Sequence, residues 1–234
     1  MKPLLIPVLT VLSGALVLGA CKKSDTAAVS GTYVSNNLVS VDPPRMYYAG
    51  GSSTDTALIG PYLRRTVTFG ASYDQYIQLS GFATPMTNPI TLTVNGTAAT
   101  LQSGATTIGL DVLSEDATGL LLARRDSSLH YLQGNRCERL WRRLVLNRPD
   151  SVYIAIPGNG NFSSTAARYR TYYPLDIDGG RVYFPQLSVV LSATQGCMTA
   201  SGAFAGRFDP QLPAQLLAGD TVVVQGRRLE MLRQ

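Results

Sequence analysis

Along most of this chain, apolar and polar residues alternate in short runs broken by Gly, Pro, Asn and Asp. Ile90 to Val94 and Thr97 to Leu101 are the clearest pair. Alternation at period two buries one face of a strand. The intervening Asn95-Gly96 suits the positive φ angles of a type I′ hairpin turn. The same pattern predicts an opening strand at Val29 to Val34 and a short one at Tyr47-Tyr48. It predicts others at Arg65 to Phe69, Tyr76 to Leu79, Thr107 to Val112, Leu120 to Ala123 and Ser128 to Gln133. Val152 to Ile156, Arg168 to Tyr173, Arg181 to Phe184 and Leu187 to Leu191 complete the middle of the chain. Asp42-Pro43-Pro44 reads as a turn, and Ala49 to Thr56 and Pro157 to Asn161 as loops. Asp176-Ile177-Asp178-Gly179-Gly180 reads as a tight turn between strands, because it lacks the further oxygen ligands of a calcium loop. The chain closes with Thr221 to Val224, a Gln225-Gly226 turn and Arg227 to Leu232, a terminal hairpin that ties down the C-terminus.

One stretch changes period. From Asn135 to Asn147 the residues Cys137, Leu140, Trp141, Leu144 and Val145 fall on one helical face, and Arg139, Arg142 and Arg143 on another. Asn135 is placed to cap, with Glu138 three residues later as in a capping box. A strand stays open here, since Leu144-Val145-Leu146 is β-competent. The arginine face is either solvated or a site for anionic headgroups. The expected fold is mainly β: an antiparallel β-barrel or sandwich with at most one or two short helices.

The N-terminus follows a third pattern. Met1-Lys2 is a positive start, and Leu4 to Val17 is apolar apart from Pro7, Thr10, Ser13 and Gly14. About 14–15 apolar residues are too few for the roughly 20 of a bilayer-spanning helix, so the segment reads as a secretory signal. Leu18-Gly19-Ala20-Cys21 resembles the bacterial lipobox. That resemblance implies cleavage before Cys21, acylation of Cys21 and a membrane anchor made of several chains, where one would be marginal. In the lipoprotein sorting rule an aspartate after the cysteine marks inner-membrane retention. Lys22 stands there instead, so the resemblance implies the outer membrane. Lys22 and Lys23 would lie favourably beside anionic lipid phosphates. The expected organisation is a signal peptide over 1–20, a lipidated linker over 21–30 and a β-rich domain over 31–234, with a subdivision near 125–135 left open.

Composition narrows the function classes. Charged residues are only 15% of the chain against 45% hydrophobic, which argues for a packed core and against disorder. The net charge of +5 rests on arginine, because Lys2, Lys22 and Lys23 are the only lysines. An exported protein with dispersed arginines gives no reason to expect nucleic acid as a partner. With Cys21 assigned to lipid, Cys137 and Cys197 remain, an even pair that suggests a disulfide in an oxidising compartment. Two separate buried thiols are the alternative. Two cysteines and His130, the lone histidine, offer no short-spaced ligand pair, so neither a metal nor a cofactor is expected.

Further resemblances are distant. Gly160-Asn161-Phe162-Ser163, Asp178-Gly179-Gly180-Arg181, Ser192 to Met198 and the closing Gly219-Asp220-Thr221-Val222-Val223-Val224 resemble, in order, the META domain of bacterial envelope lipoproteins over 158–232. The chain departs from that family where Asn159-Gly160 replaces its first cysteine and where Ser201 to Phe208 is too glycine-rich for its helix. Gly31-Thr32-Tyr33 resembles the Gly-x-Trp of the first strand of lipocalin-like barrels, with Tyr33 in place of Trp. Asp25-Thr26-Ala27 and Asp55-Thr56-Ala57 resemble the O-glycosylation acceptor of Bacteroidota, which would modify Thr26 or Thr56.

No enzyme is expected. The sequence carries no Gly-x-Ser-x-Gly elbow, phosphate-binding glycine loop or dinucleotide fingerprint. Asp176 and Asp178 share a face of one strand, but nothing nearby would separate their pKa values for acid–base work. Two functions stay open: an envelope lipoprotein that binds a small apolar ligand, lipid or glycan, or a structural lipoprotein that works through a protein partner. Twelve tyrosines, some paired as in Tyr47-Tyr48 and Tyr172-Tyr173, motivate the first. No ligand-binding residue identifies itself.

Overall fold

A computed structural model describes residues 29–66, 75–80, 84–85, 88–132, 134–144, 152–156, 164–194 and 196–234. The lipobox, Lys22, Lys23, Thr26 and the loop at 157–161 lie outside them.

The chain begins with strand β1 (Gly31–Val41) and makes a first excursion through β2 (Arg45–Tyr48), β3 (Gly51–Ser53), helix α1 (Thr56–Thr66) and β4 (Thr84–Pro85). A run of four strands follows: β5 (Ile90–Asn95), β6 (Ala98–Ser103), β7 (Thr106–Asp116) and β8 (Gly119–Arg124). A second excursion holds β9 (Ser128–Leu132), helix α2 (Arg136–Leu144), β10 (Val152–Ile156) and β11 (Ser164–Tyr169). Then come β12 (Tyr172–Asp178) and the long β13 (Arg181–Ala193). The third excursion is β14 (Cys197–Ala205) and a 3-10 turn at Leu212–Gln215, before the long final strand β15 (Thr221–Arg233).

With the excursions set aside, β1, β5, β6, β7, β8, β12, β13 and β15 each pair antiparallel with the next, and β15 pairs back to β1. This is a closed eight-stranded barrel in up-and-down order. Closure leaves these strands no free edge within the barrel. A barrel of eight strands is just wide enough for side chains to fill it. Leu92, Leu110, Leu122, Leu175 and Leu229 do so and are wholly buried. Thr100 and Gln102, on the outer face, are exposed. An apolar interior is the reverse of the polar lumen of a membrane-spanning barrel.

The excursions build a second unit on one end. β13 and β15 pair from Val182–Met231 to Ser192–Thr221, far beyond the barrel wall. Their outer halves are joined by β14 on one side and by β2 and β3 on the other. The burial of β15 shows two environments in one strand. Val222, Val223, Val224 and Gln225 are all buried, whereas beyond them Leu229 and Met231 are buried and Glu230 is not. The first part lies between two helices and the second forms barrel wall. On one face of the extension, Leu140 and Leu144 of α2 pack with Val189, Leu191, Val222 and Val224. On the other, Ile59 and Leu63 of α1 and Ile77 pack on Val190 and Val223. β10, β11 and β9 form a separate three-stranded sheet.

Several expectations change. The predicted terminal hairpin is the single strand β15, and Gln225-Gly226 is not a turn: its residues pair with Ser188 and Leu187. Likewise the runs 181–184 and 187–191 are one strand through Pro185. Helix α1 takes the place of the end of the loop at Ala49 to Thr56 and the start of the strand at Arg65, whose 67–69 portion lies outside the described residues. Its amphipathic face was hidden by Gly60 and Pro61. Tyr76 to Leu79 is irregular backbone, held by Gln225 rather than by a strand partner. Arg168 to Tyr173 divides between β11 and β12, in two sheets. In the hairpin at 90–103 Asn95 pairs with Ala98, so the loop is Gly96-Thr97. Gly96 has φ 60° and Thr97 no positive φ, the placement of a type II′ rather than a type I′ turn. The Gly179-Gly180 turn between β12 and β13 is as read, with φ 56° and 80°.

Candidate functional site

The two long strands change neighbours at one level. β12 pairs with Arg181 to Tyr183 of β13, and β14 takes over from Gln186. Pro185, which has no N–H to donate, stands between them. On β15, β2 pairs with Thr221 to Val224 and β1 begins at Arg227. Gln225 and Gly226 fill that gap. Where the neighbouring strands part, a cleft of about 490 Å³ opens between barrel and extension. A Cβ on Gly226 would lie 2.4 Å from Oδ2 of Asp42, the movable end of an exposed side chain. The Asp42 N–H donates to the Gly226 carbonyl at 3.0 Å. Gln225, fully buried, donates to the carbonyls of Asp42 and Gln78 at 2.9 and 2.6 Å and accepts the Gln78 N–H at 2.8 Å. One side chain thus fixes two irregular segments beside the cleft.

Four arginines line the cleft against one carboxylate, Asp42. Arg207 pairs with Asp176. The Arg228 guanidinium lies 4.4 Å above the Tyr183 ring and 3.6 Å from Asp178. Arg227 donates to the Tyr76 carbonyl at 3.0 Å, while its buried Nε has no hydrogen-bond partner among the described residues. Burial pushes the Arg227 guanidinium below the usual arginine pKa. Arg45 is exposed at the start of β2. In the same lining Tyr47 and Phe208 stack with centroids 4.7 Å apart and planes 17° from parallel. The site offers incompletely compensated positive charge beside an aromatic surface, which suits an anionic ligand with a ring.

A larger depression of about 550 Å³ runs by Val29, Tyr33, Val182 and Met231. Its Glu230 takes the charge of Arg181 at 3.5 Å, and Arg233 donates to the Ser30 carbonyl. Tyr33, Val182 and Met231 belong to the barrel core. The depression is therefore floored by packed side chains and carries less unspent charge than the cleft.

Residues singled out by sequence are dispersed. Cys21 lies outside the described residues. Cys137 and Cys197 form a disulfide with Cα atoms 5.8 Å apart, which joins α2 to β14. Asn135 caps α2 through the Glu138 N–H at 2.8 Å, and Glu138 reaches back to the Gly134 N–H at 2.6 Å. The segment is helical from Arg136 to Leu144, so the strand alternative fails over those residues, and 145–147 lie outside the described residues. The arginines of α2 do not act together: Arg139 is exposed, Arg142 is half-buried, and Arg143 is half-buried and pairs with Asp209 at 3.3 Å. Asp176 and Asp178 each face an arginine rather than each other. His130 lies 3.9 Å from Glu138, away from the cleft. Asp55 caps α1, its Oδ1 accepting the Ala57 N–H at 2.8 Å, which accounts structurally for one Asp-Thr-Ala run. Tyr47 reaches the cleft, whereas Tyr172 is buried and Tyr173 stacks on Phe184 beside the barrel core. Arg45, Arg207, Arg227 and Arg228 went unread because only the strand pairing brings them together.

Comparisons with protein-family models, curated proteins and solved structures found no significant match. Among the described residues no helix is long and apolar enough to cross a membrane, and no group of three metal-ligating side chains occurs.

Proposed function

We propose that this protein is a non-enzymatic lipoprotein, anchored through Cys21 to the outer membrane, which binds an acidic glycan in the cleft between barrel and extension. The presence of Arg45, Arg207, Arg227 and Arg228 in one cleft lining with the Tyr47–Phe208 stack carries this reading. Arginines supply bidentate donors for carboxylate, sulfate or phosphate, and the aromatic pair supplies a flat surface for a sugar ring. The apolar barrel interior supports attachment by lipid rather than by strands in the membrane.

Two measurements test it. Native mass spectrometry and calorimetry with sulfated and uronate oligosaccharides should show saturable binding that weakens with salt. Arg45→Ala combined with Arg228→Ala should weaken it about tenfold or more, each loss removing a charge-assisted contact. Failure of every acidic glycan, with the protein folded, would favour the protein-partner role instead. In cells, Cys21→Ser should abolish labelling by radioactive palmitate and release the protein from membranes. Retention of the label would refute the anchor without touching the cleft.

A further inference from the structure

A second hollow, independent of the cleft, lies where α2, β9 and β14 meet. It measures about 180 Å³ and is lined by His130, Asn135, Glu138, Trp141, Met198 and Thr199. Glu138 and Met198 directly follow the disulfide-bonded Cys137 and Cys197, so the cross-link ties two of its walls together. Glu138 decides the chemistry. Its side chain is only 7% exposed. Oε2 accepts the Gly134 N–H, but Oε1 is buried and accepts no hydrogen bond from the described residues. His130 Nε2, at 3.9 Å, is beyond hydrogen-bond reach. A buried carboxylate with unused acceptor capacity is costly, and an N–H donor carrying positive charge would relieve it. Trp141 and Met198 add an indole and a thioether, surfaces suited to a cation and its methylene stem.

We propose that this hollow binds an alkylammonium group, which donates an N–H to Glu138 Oε1 while Trp141 and Met198 flank its stem. A quaternary ammonium lacks the N–H that Oε1 requires. A divalent metal would need more ligands than His130 and Glu138 provide. A free polyamine and the lysine side chain of a partner present the same head group.

Trp141 is the only tryptophan, so intrinsic fluorescence reports on the hollow. The disulfide-bonded protein is titrated at constant ionic strength with putrescine, with Nα-acetyl-lysine methylamide and with tetramethylammonium. The expected result is a saturable change with one or both primary amines and a weaker one with tetramethylammonium. The stronger primary amine names the source, free amine or lysine side chain. Glu138→Gln, which preserves size and an acceptor for Gly134, should weaken binding about tenfold or more. Should that variant fail to fold, wild-type amide shifts confined to Asn135, Glu138 and Thr199 on titration carry the test. No saturable response, an equal response in Glu138→Gln, or preference for tetramethylammonium would overturn the proposal. Saturation by zinc below the amine concentrations would overturn it in favour of a metal.

Discussion

Asp220 concentrates the contacts of three elements on one carboxylate. It is 1% exposed at the entry to β15. Arg136 of α2 donates to its Oδ2 from Nε and Nη2 at 2.9 and 2.6 Å, and the Leu217 N–H adds a third bond at 2.9 Å. The Thr194 N–H reaches Oδ1 at 3.4 Å from the end of β13. Burial opposes ionisation, but Arg136 and the two amides outweigh it and hold the carboxyl below the usual aspartate range. A carboxyl with a depressed folded pKa adds stability above its unfolded value, and that stability is lost as pH falls through the folded one. Wild-type stability should therefore fall as pH drops below about 4. Asp220→Asn should cost about 3 kcal/mol or more at neutral pH, because Arg136 is left half of a broken, largely buried pair. It should also flatten the acid dependence. Urea unfolding at pH 7 and at pH 3 measures both; an unchanged acid slope in the variant would assign the dependence elsewhere.

Helix α2 is held twice at its N-terminal end, by the Asn135 cap and, two residues on, by the disulfide at Cys137. The cross-link closes a separation of 60 residues and is worth about 4 kcal/mol in the chain-entropy model. Reduction should lower the urea midpoint accordingly and alter Trp141 emission, since Trp141 packs edge-on to Phe204 of β14 at 5.4 Å. An unchanged midpoint would mean that α2 docks without it. α2 was legible in sequence because its cap, charge and apolar face agree. α1 was not: Gly60 and Pro61 interrupt the pattern, and its Ile59–Leu63 stripe is short. Most barrel strands were legible as alternation. The lengths of β13 and β15 were not, because each changes from alternating to continuous burial in mid-strand. That change resembles a break between two strands, and Pro185 and Gly226 reinforce the impression. The cleft was hidden for the same reason. Its arginines lie between positions 45 and 228 and converge only once Gly226 is paired with Leu187 rather than placed in a turn.

On the scale of the whole molecule, barrel and extension share their two longest strands. The chain leaves the barrel after Arg124 and re-enters it at Tyr172, so the region near 125–135 is where an excursion departs. The β13–β15 ladder continues from barrel wall into the extension without a gap in register. The two cannot part without breaking that ladder, because β13 and β15 run through both. Unfolding should accordingly be one cooperative transition, with barrel and extension losing structure together. Gly119→Ala provides the perturbation. Its Cβ would lie 2.3 Å from the Leu175 carbonyl oxygen, a backbone atom of the neighbouring barrel strand that has no rotamer by which to withdraw. Overpacking of this kind costs about 1–3 kcal/mol. The substitution is in the barrel, and Trp141 is in the extension. Far-UV circular dichroism, dominated by the strands, and Trp141 fluorescence should show the same urea midpoint in the wild type and the same lowered midpoint in the variant. If only the dichroism midpoint moved, the two units would be energetically separate despite their common strands. If both move together, the cleft between them is held by the stability of the entire fold, and a change in either unit will be felt by any ligand bound there.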